Sequence, residues 1–417
     1  MERMFDTSVF DRHTLRNGVR VYRQRSPIKV SKAGVLILGF PNCGSASDPI
    51  NRPGLNHFFE HMPFRGTNAF PNKVALIAPI EAKGGEINAA TGQTRVNYHI
   101  TLPEAHYPMA MDVLYEMAFL ANIGEQETIS ERGVIHSERQ KYAGDSTRNA
   151  WRVLFREIFG PHPYNHLPIG ELDVIDSVTA EELRVIQKNN YHAGNLTIFC
   201  GGSFADRPDM QERLEEKFGG LPLRTPITLP DAALLPIGKS GEVDVHEPLL
   251  SRDYLGVAYP LKPTTSWDQV LFELLAEALS GGMASPLVLK LREELRLTYE
   301  SGPVFLQRFH DIWIFMGIFP VPADSFNLVL TTFIEELRKL EIPRVLAAIE
   351  TVRCRRECEF SAPVTATLAA ARNFSITPEN YSESYYDTIV DDIAPEEILV
   401  LRDRILEMDP FVCRIRK

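Results

Sequence analysis

The sequence predicts an α+β protein of two similar domains, each a mainly antiparallel sheet packed with helices. At 417 residues the chain is too long for one ordinary hydrophobic core, which favours two domains of about 200 residues. A proline-rich stretch without sustained period, "LPLRTPITLPDAALLPIGKSGE", interrupts it near the middle and reads as a linker. On both sides of that stretch strands and helices follow in a similar order, without residue-level repetition, as duplication of one α+β unit would leave them. The expected boundaries are residues 1–222 for an N-terminal domain, 223–242 for the linker and 243–417 for a C-terminal domain.

In the first half, "HTLRNGVRVYRQ" reads as two strands around Asn17-Gly18, a strong hairpin signal. The continuous apolar run "AGVLILGF" predicts a buried strand, and "GLNHFFEHMPFRGT" a helix. "KVALIAPIEAKGG" predicts a second helix closed by a glycine pair, and "EINAATGQTRVNYHITLP" a strand or hairpin rich in Thr, Val and Tyr. "AHYPMAMDVLYEMAFLAN" is helical by its spaced apolar residues, and "SERGVIHSERQKYAGDSTRNAWRVLFREIFG" predicts one longer helix. "TAEELRVIQKNNY" opens with a capping box and leads into the strand "LTIFCGG", followed by the helix "DMQERLEEKFGG".

Beyond the linker, "YLGVAYPL" predicts a strand, "QVLFELLAEALSGG" and "SPLVLKLREELRL" helices, and "YESGPVFLQRF" and "IWIFMGIF" strands. Helices follow around "FNLVLTTFIEELRKL" and "RVLAAIETVRCRRECEF".

Composition excludes several classes. A hydrophobic fraction of 44% with 24% charged residues is that of a soluble globular protein. A net charge of −11 argues against a nucleic-acid binder, which presents a basic face. Five cysteines in so long a chain make no disulfide framework. The pair in "CRREC" has no other Cys or His nearby in sequence to complete a soft-metal site. The N-terminal stretch lacks the apolar core of a secretory signal, and no apolar run is long enough to span a membrane. A cytoplasmic setting without membrane attachment is therefore expected.

The chemistry centres on "HFFEH". On a helix His57 and His61 project from one face, and Glu60 stays on the same side. That is what two imidazole ligands and a neighbouring carboxylate need. Two histidines and a glutamate also occur by chance on amphipathic surfaces, so the string alone leaves metal binding open. A catalytic zinc commonly takes three protein ligands. The helix "SERGVIHSERQKY" offers Glu131 and Glu138, seven residues apart and stacked on one face.

H-x-x-E-H is the inverzincin signature, and the chain resembles the insulinase and pitrilysin peptidases, which include mitochondrial processing peptidase and its smaller bacterial relatives. The resemblance implies that the third ligand is Glu138, separated from His61 by 76 residues, and that Glu131, in its E-R pair, is the companion carboxylate. "GGEINAATGQTRVNYHITLP" is similar to the family's substrate-binding edge strand, which implies that Asn88 and Ala89 bind substrate. "LSGGMASPLVLKLREELRLTYESGP" looks like the family's Gly-rich turn, helix and strand, and its Arg292 and Tyr299 match a substrate-contacting Arg-Tyr pair. Pro63 stands where a leucine is usual and Pro286 where an arginine is common. His136 is read as a packing or surface residue, and His162 and His166 as structural.

The resemblance implies one Zn2+ per chain, held by His57, His61 and Glu138. Glu60 is then the general base, Glu131 orients a ligand or tunes the site electrostatically from outside the metal, and zinc and Tyr299 stabilise the oxyanion. The implied activity is endopeptidase cleavage of extended peptides or unfolded protein in an enclosed chamber, each chain forming one half of a clamshell. Because this chain carries both the zinc motif and the Arg-Tyr pair, a homodimer is expected, the alternative being a heterodimer with an inactive relative. The competing functional reading is a catalytically silent structural or binding subunit of the same family.

Overall fold

The computed structural model describes residues 10–24, 32–230, 241–262, 266–299, 304–309, 312–360, 367 and 393–417. By packing, the chain divides into two units. The first comprises residues 1–139, 166–230 and 358–384, and the second residues 140–165, 231–357 and 385–417.

The first unit is built on six strands: β1 (Phe10–Thr14), β2 (Arg20–Gln24), β3 (Ala33–Pro41), β4 (Glu86–Thr91), β5 (Arg95–Pro103) and β6 (Thr197–Gly202). They lie in the order β1-β2-β6-β3-β5-β4. Only the β2–β6 pair is parallel. Strand β3, the continuous apolar run, is buried at every position after Ala33, as a central strand covered on both faces must be. Strand β5 alternates buried and half-buried residues, the pattern of one covered face. The β1–β2 hairpin turns through Gly18 at φ +86°.

The second unit has five strands: β7 (Gly241–His246), β8 (Tyr254–Leu261), β9 (Phe305–Arg308), β10 (Trp313–Pro320) and β11 (Phe411–Arg416). Their order is β7-β11-β8-β10-β9, with only β7–β11 parallel. Without the extra hairpin strand β1, the strands of each unit, numbered within it, lie in the same spatial order: first, fifth, second, fourth, third. In both units the single parallel pair joins the first strand to the last. Two α+β units of one topology are what duplication predicts, and both sheets are mixed but mainly antiparallel.

The helices of the first unit include α1 (Leu55–His61), α2 (Lys73–Glu81), α3 (Tyr107–Phe119) and α4 (Glu125–Ala143). The single long helix expected over residues 130–160 ends instead at Ala143, and α5 (Ser146–Phe159) begins after Asp145. The Asp145 side chain accepts the Arg148 N–H at 3.0 Å, a helix-start cap that breaks an otherwise continuous pattern.

The break also moves the domain boundary. Residues 140–165, expected with the N-terminal domain, pack with the second unit. Helix α5 lies on β8, β10 and β11, where Gly256 leaves room for Leu154; a Cβ there would come within 2.9 Å of its side chain. Trp151 meets Phe305, and Phe155 and Phe159 meet Phe309.

Helices α6 (Leu172–Ser177), α7 (Ala180–Asn190) and α8 (Met210–Phe218) complete the first unit among the described residues. The capping box of α7 forms as expected between Thr179 and Glu182. The second unit adds α9 (Ser266–Ser280), α10 (Pro286–Val288), α11 (Phe326–Arg338), α12 (Ile342–Phe360) and α13 (Pro395–Leu406). Its core joins the inner residues of β8 and β10 to α9, α11 and α13. Strands β7 and β11 and helix α13 are elements the sequence pattern did not announce. Residues 300–303 of the expected strand "YESGPVFLQRF" and residues 231–240 of the linker lie outside the described residues.

Candidate metal centre

Helix α1 has seven residues, and its start is built by glycine and aspartate. Gly54 adopts φ +101°, and a Cβ there would lie 2.5 Å from the Cα of Gly170, so neither handedness nor space admits another residue. Asp48 accepts the Gly54 N–H at 2.6 Å and the Asn56 N–H at 2.9 Å, which satisfies exposed donors of the first turn. Leu55, Phe58 and Phe59 face the core. His57, Glu60 and His61 are left on the other side, facing α4 and β4. Pro63 sits in the 3₁₀ turn Met62–Phe64 that follows, where its missing N–H breaks no α-helical bond.

Glu138 of α4 approaches both imidazoles. Its Oε2 lies 3.6 Å from His57 Nε2 and 3.3 Å from His61 Nε2, and one ligand atom from each of the three residues lies within 4.8 Å of the others. No other such cluster occurs among the described residues. A tetrahedral ion about 2.0–2.2 Å from each donor separates donors by about 3.3–3.6 Å, so both Glu138 separations suit zinc. Burial, then the neighbouring His61, pushes His57 down to about 4, which keeps it in the neutral form a metal requires. Burial alone would lower His61, but its hydrogen bonds to Glu131 and Glu138 outweigh that and raise it to about 9. A dication bound between these residues would take the place of a proton shared by His61 and Glu138.

Glu131 does not face the cluster. Its Oε1 meets His61 Nδ1 at 2.8 Å and its Oε2 pairs with Arg65 Nε. Burial alone would raise this carboxyl, but His61 and Arg65 hold it below the usual range. An ionised Glu131 favours a proton on His61 Nδ1, so that loss of the Nε2 proton would leave the Nε2 lone pair free for a metal.

Glu60 is almost fully buried, and burial pushes its carboxyl up to about 7, although the Thr91 hydroxyl donates to its Oε2 at 2.5 Å and lowers it. A buried carboxyl poised near neutrality beside the cluster is suited to proton transfer.

Asn88 and Ala89 lie on β4, the edge strand of the sheet, the strand that carries Thr91. The Ala89 N–H is taken by Asn88 Oδ1 at 2.9 Å. Arg292 and Tyr299 belong to the second unit. Arg292 lies in a π-helical turn, Leu289–Glu294, that continues α10, and its guanidinium stacks 4.3 Å from the ring centroid of Tyr299. Tyr299 is 79% exposed. Pro286 takes the first position of α10, which proline tolerates. His136 pairs with Asp176 at 2.7 Å, away from the cluster. His162 accepts the Tyr164 N–H, and the His166 backbone carbonyl accepts from Ser45.

Sequence reasoning missed Thr91, Arg65 and Asp48. Arg65 had a signal: it follows His61 by four residues, as a residue on the same helix face would. Asp48 had none beyond proximity to the motif, and Thr91, 31 positions from Glu60, had none beyond its place in the expected edge strand.

Residues 20–160 match the family model described as insulinase (Peptidase family M16), and residues 177–345 match the model described as the Peptidase M16 inactive domain. The chain belongs to the insulinase family. An uncharacterised zinc protease of Streptomyces coelicolor is 25% identical over 294 residues, which cover 69% of this chain and 62% of that protein. The mitochondrial-processing peptidase subunit beta of Dictyostelium discoideum is 26% identical over 266 residues, covering 63% of this chain and 55% of that protein. The matched segments thus span less than two thirds of either insulinase-family relative. The crystal structure of a protease from Helicobacter pylori matches with a TM-score of 0.85 over 98% of this chain and 99% of that one, at 18% identity. That likeness shows a shared fold.

Proposed function

We propose that this insulinase-family chain is a zinc-dependent endopeptidase that holds one Zn2+ through His57, His61 and Glu138 and uses Glu60 as general base. The supporting observation is the division of labour among the carboxylates. Glu138 faces both imidazole Nε2 atoms, Glu131 faces the rear nitrogen of His61, and Glu60 is bound by Thr91 instead.

Zinc bound there would polarise a water and lower its pKa toward neutrality. Glu60 takes the proton at its carboxylate and returns it to the leaving amine. Glu131 holds His61 in the required tautomer, with Arg65 keeping Glu131 ionised. An extended peptide adds a strand beside β4, its backbone carbonyl displacing Asn88 from the Ala89 N–H. Arg292 holds a substrate carbonyl and Tyr299 stabilises the developing oxyanion. In this reading substrates are peptides or unfolded protein segments enclosed in a chamber, and a homodimer forms the clamshell, with Arg292 and Tyr299 supplied by the second copy.

The alternative, a catalytically silent subunit, draws on the inactive-domain description of residues 177–345. Those residues contain none of His57, Glu60, His61, Glu131 or Glu138, so that description leaves the proposed metal ligands and base untouched, although it includes Arg292 and Tyr299. The test is cleavage of quenched fluorescent peptides by the purified protein, with and without a chelator, after sizing. Chelator-sensitive cleavage supports the peptidase reading; zinc-loaded protein that cleaves nothing supports the silent subunit.

A further inference from the structure

Helix α1 carries two of the three proposed ligands, yet it is far too short to be stable alone, since isolated helices need about 12–15 residues. Its orientation must come from its surroundings. Leu55, Phe58 and Phe59 bury its apolar side, but apolar contact is non-directional and fixes depth better than rotation. The tolerance is small. Side chains reach about 5–6 Å from a helix axis, so a rotation of about 10° carries an imidazole nitrogen about 1 Å. Metal–ligand distances tolerate about 0.2 Å.

Rotation is restrained at Asn56, the residue before His57, which is completely buried. Its Nδ2 donates to Asp48 Oδ1 at 2.8 Å and to Gly44 O at 3.1 Å, with Ser47 Oγ at 3.2 Å. Its Oδ1 accepts from Asn190 Nδ2 at 2.7 Å. Asn190 is the last residue of α7, so the amide pair ties α1 laterally to a separate helix. Asp48 holds the start of α1 through two backbone N–H groups as well. Three buried side chains thus clamp the helix from its start and its flank.

We infer that Asp48, Asn56 and Asn190 form a positioning relay that sets the rotation of the ligand helix, so that His57 and His61 converge with Glu138. The relay touches neither metal nor substrate; it acts through α1. The inference rests on the zinc reading above. A buried amide pair with no such role would contribute stability alone, and the two cases differ in metal affinity.

The test compares Asn190→Ala with Asn195→Ala in the full-length protein. Asn195 is also a buried amide, but it contacts the backbone of Asn190 and Ile227 and the ring of His192, never α1. Zinc affinity is measured by chelator competition, the ligand field by the visible spectrum of the cobalt-loaded protein, and stability by thermal unfolding of the metal-free form. Asn190→Ala is expected to weaken zinc about tenfold, the lower end of what outer-shell losses cost, and to alter the cobalt spectrum. Asn195→Ala is expected to lose thermal stability with unchanged zinc affinity and spectrum. Asn190→Leu, which keeps the volume and removes the donor, is measured in the same way and carries the test if the alanine variant does not fold. Wild-type zinc affinity and cobalt spectrum in the folded Asn190 variants overturn the relay alone. Wild-type protein that binds neither metal overturns the zinc reading and the relay with it.

Discussion

The Thr91 hydroxyl, on edge strand β4, donates to Glu60 Oε2, on helix α1, at 2.5 Å. This bond opposes the burial that raises Glu60 to about 7, because a donor stabilises the charged form. Thr91→Val removes the donor and leaves the burial, so Glu60 becomes harder to ionise. The acid limb of the kcat/KM profile is expected to move to higher pH by about one to two units, since hydrogen bonds to charged groups contribute about 1.5–3 kcal/mol. Activity then falls near neutrality and recovers in mild alkali. An unmoved acid limb would mean that Glu60 is not the group whose ionisation the profile reports.

Glu131 and Glu138 differ in what they touch, and their amide variants are expected to differ accordingly. Glu138→Gln removes the carboxylate that faces both Nε2 atoms and should abolish tight zinc binding. Glu131→Gln disturbs the rear of His61 and the pair with Arg65, not the metal-facing atoms, and should weaken zinc about 10–100-fold. Metal content after dialysis and chelator competition separate the two; a greater loss from Glu131→Gln would exchange their roles.

Gly54 and Gly84 both adopt positive φ, but only Gly54 is crowded, against Gly170. Gly84→Ala is expected to cost about 1–2 kcal/mol, the left-handed penalty alone. Gly54→Ala adds a backbone clash at the start of the ligand helix and is expected to cost about 3 kcal/mol or more. Thermal unfolding measures both. Equal shifts would mean that the contact with Gly170 relaxes freely.

If a second copy supplies Tyr299, two inactive variants should rescue each other. Glu60→Gln and Tyr299→Phe chains, mixed after subunit exchange is shown with tagged protein, form about half mixed dimers, each with one intact site of two. Roughly a quarter of wild-type activity should return by this symmetric-dimer arithmetic. Exchange without recovery contradicts the trans arrangement.

The legible part of this protein is what lies close in sequence. That His57 and His61 share one helix face follows from their spacing, and the capping box at Thr179 marks the start of α7. The parallel pairs were not legible in the same way. β7 alternates half-buried and exposed residues, too little apolar signal for a strand, and its partner β11 lies at the far end of the chain. The break between α4 and α5 had its signal in Gly144-Asp145, overridden by amphipathic continuity across it. In the site, Glu138 is proposed as the third ligand from sequence only through the family resemblance, because no local periodicity links residues so far apart. The pairing of Asn56 with Asn190 joins residues 134 positions apart and leaves no mark on either segment. Side chains that act through space rather than along one element are invisible to pattern.

The central claim is that Glu60 moves protons beside a metal it does not hold. The measurement that tests it most directly is zinc stoichiometry and peptide turnover in Glu60→Gln, made side by side with wild type. The expected result is one zinc per chain in both proteins and a loss of turnover of about 10²–10⁴-fold in the variant, the usual contribution of general acid–base catalysis. Undiminished turnover, or loss of the zinc along with the carboxylate, would contradict it.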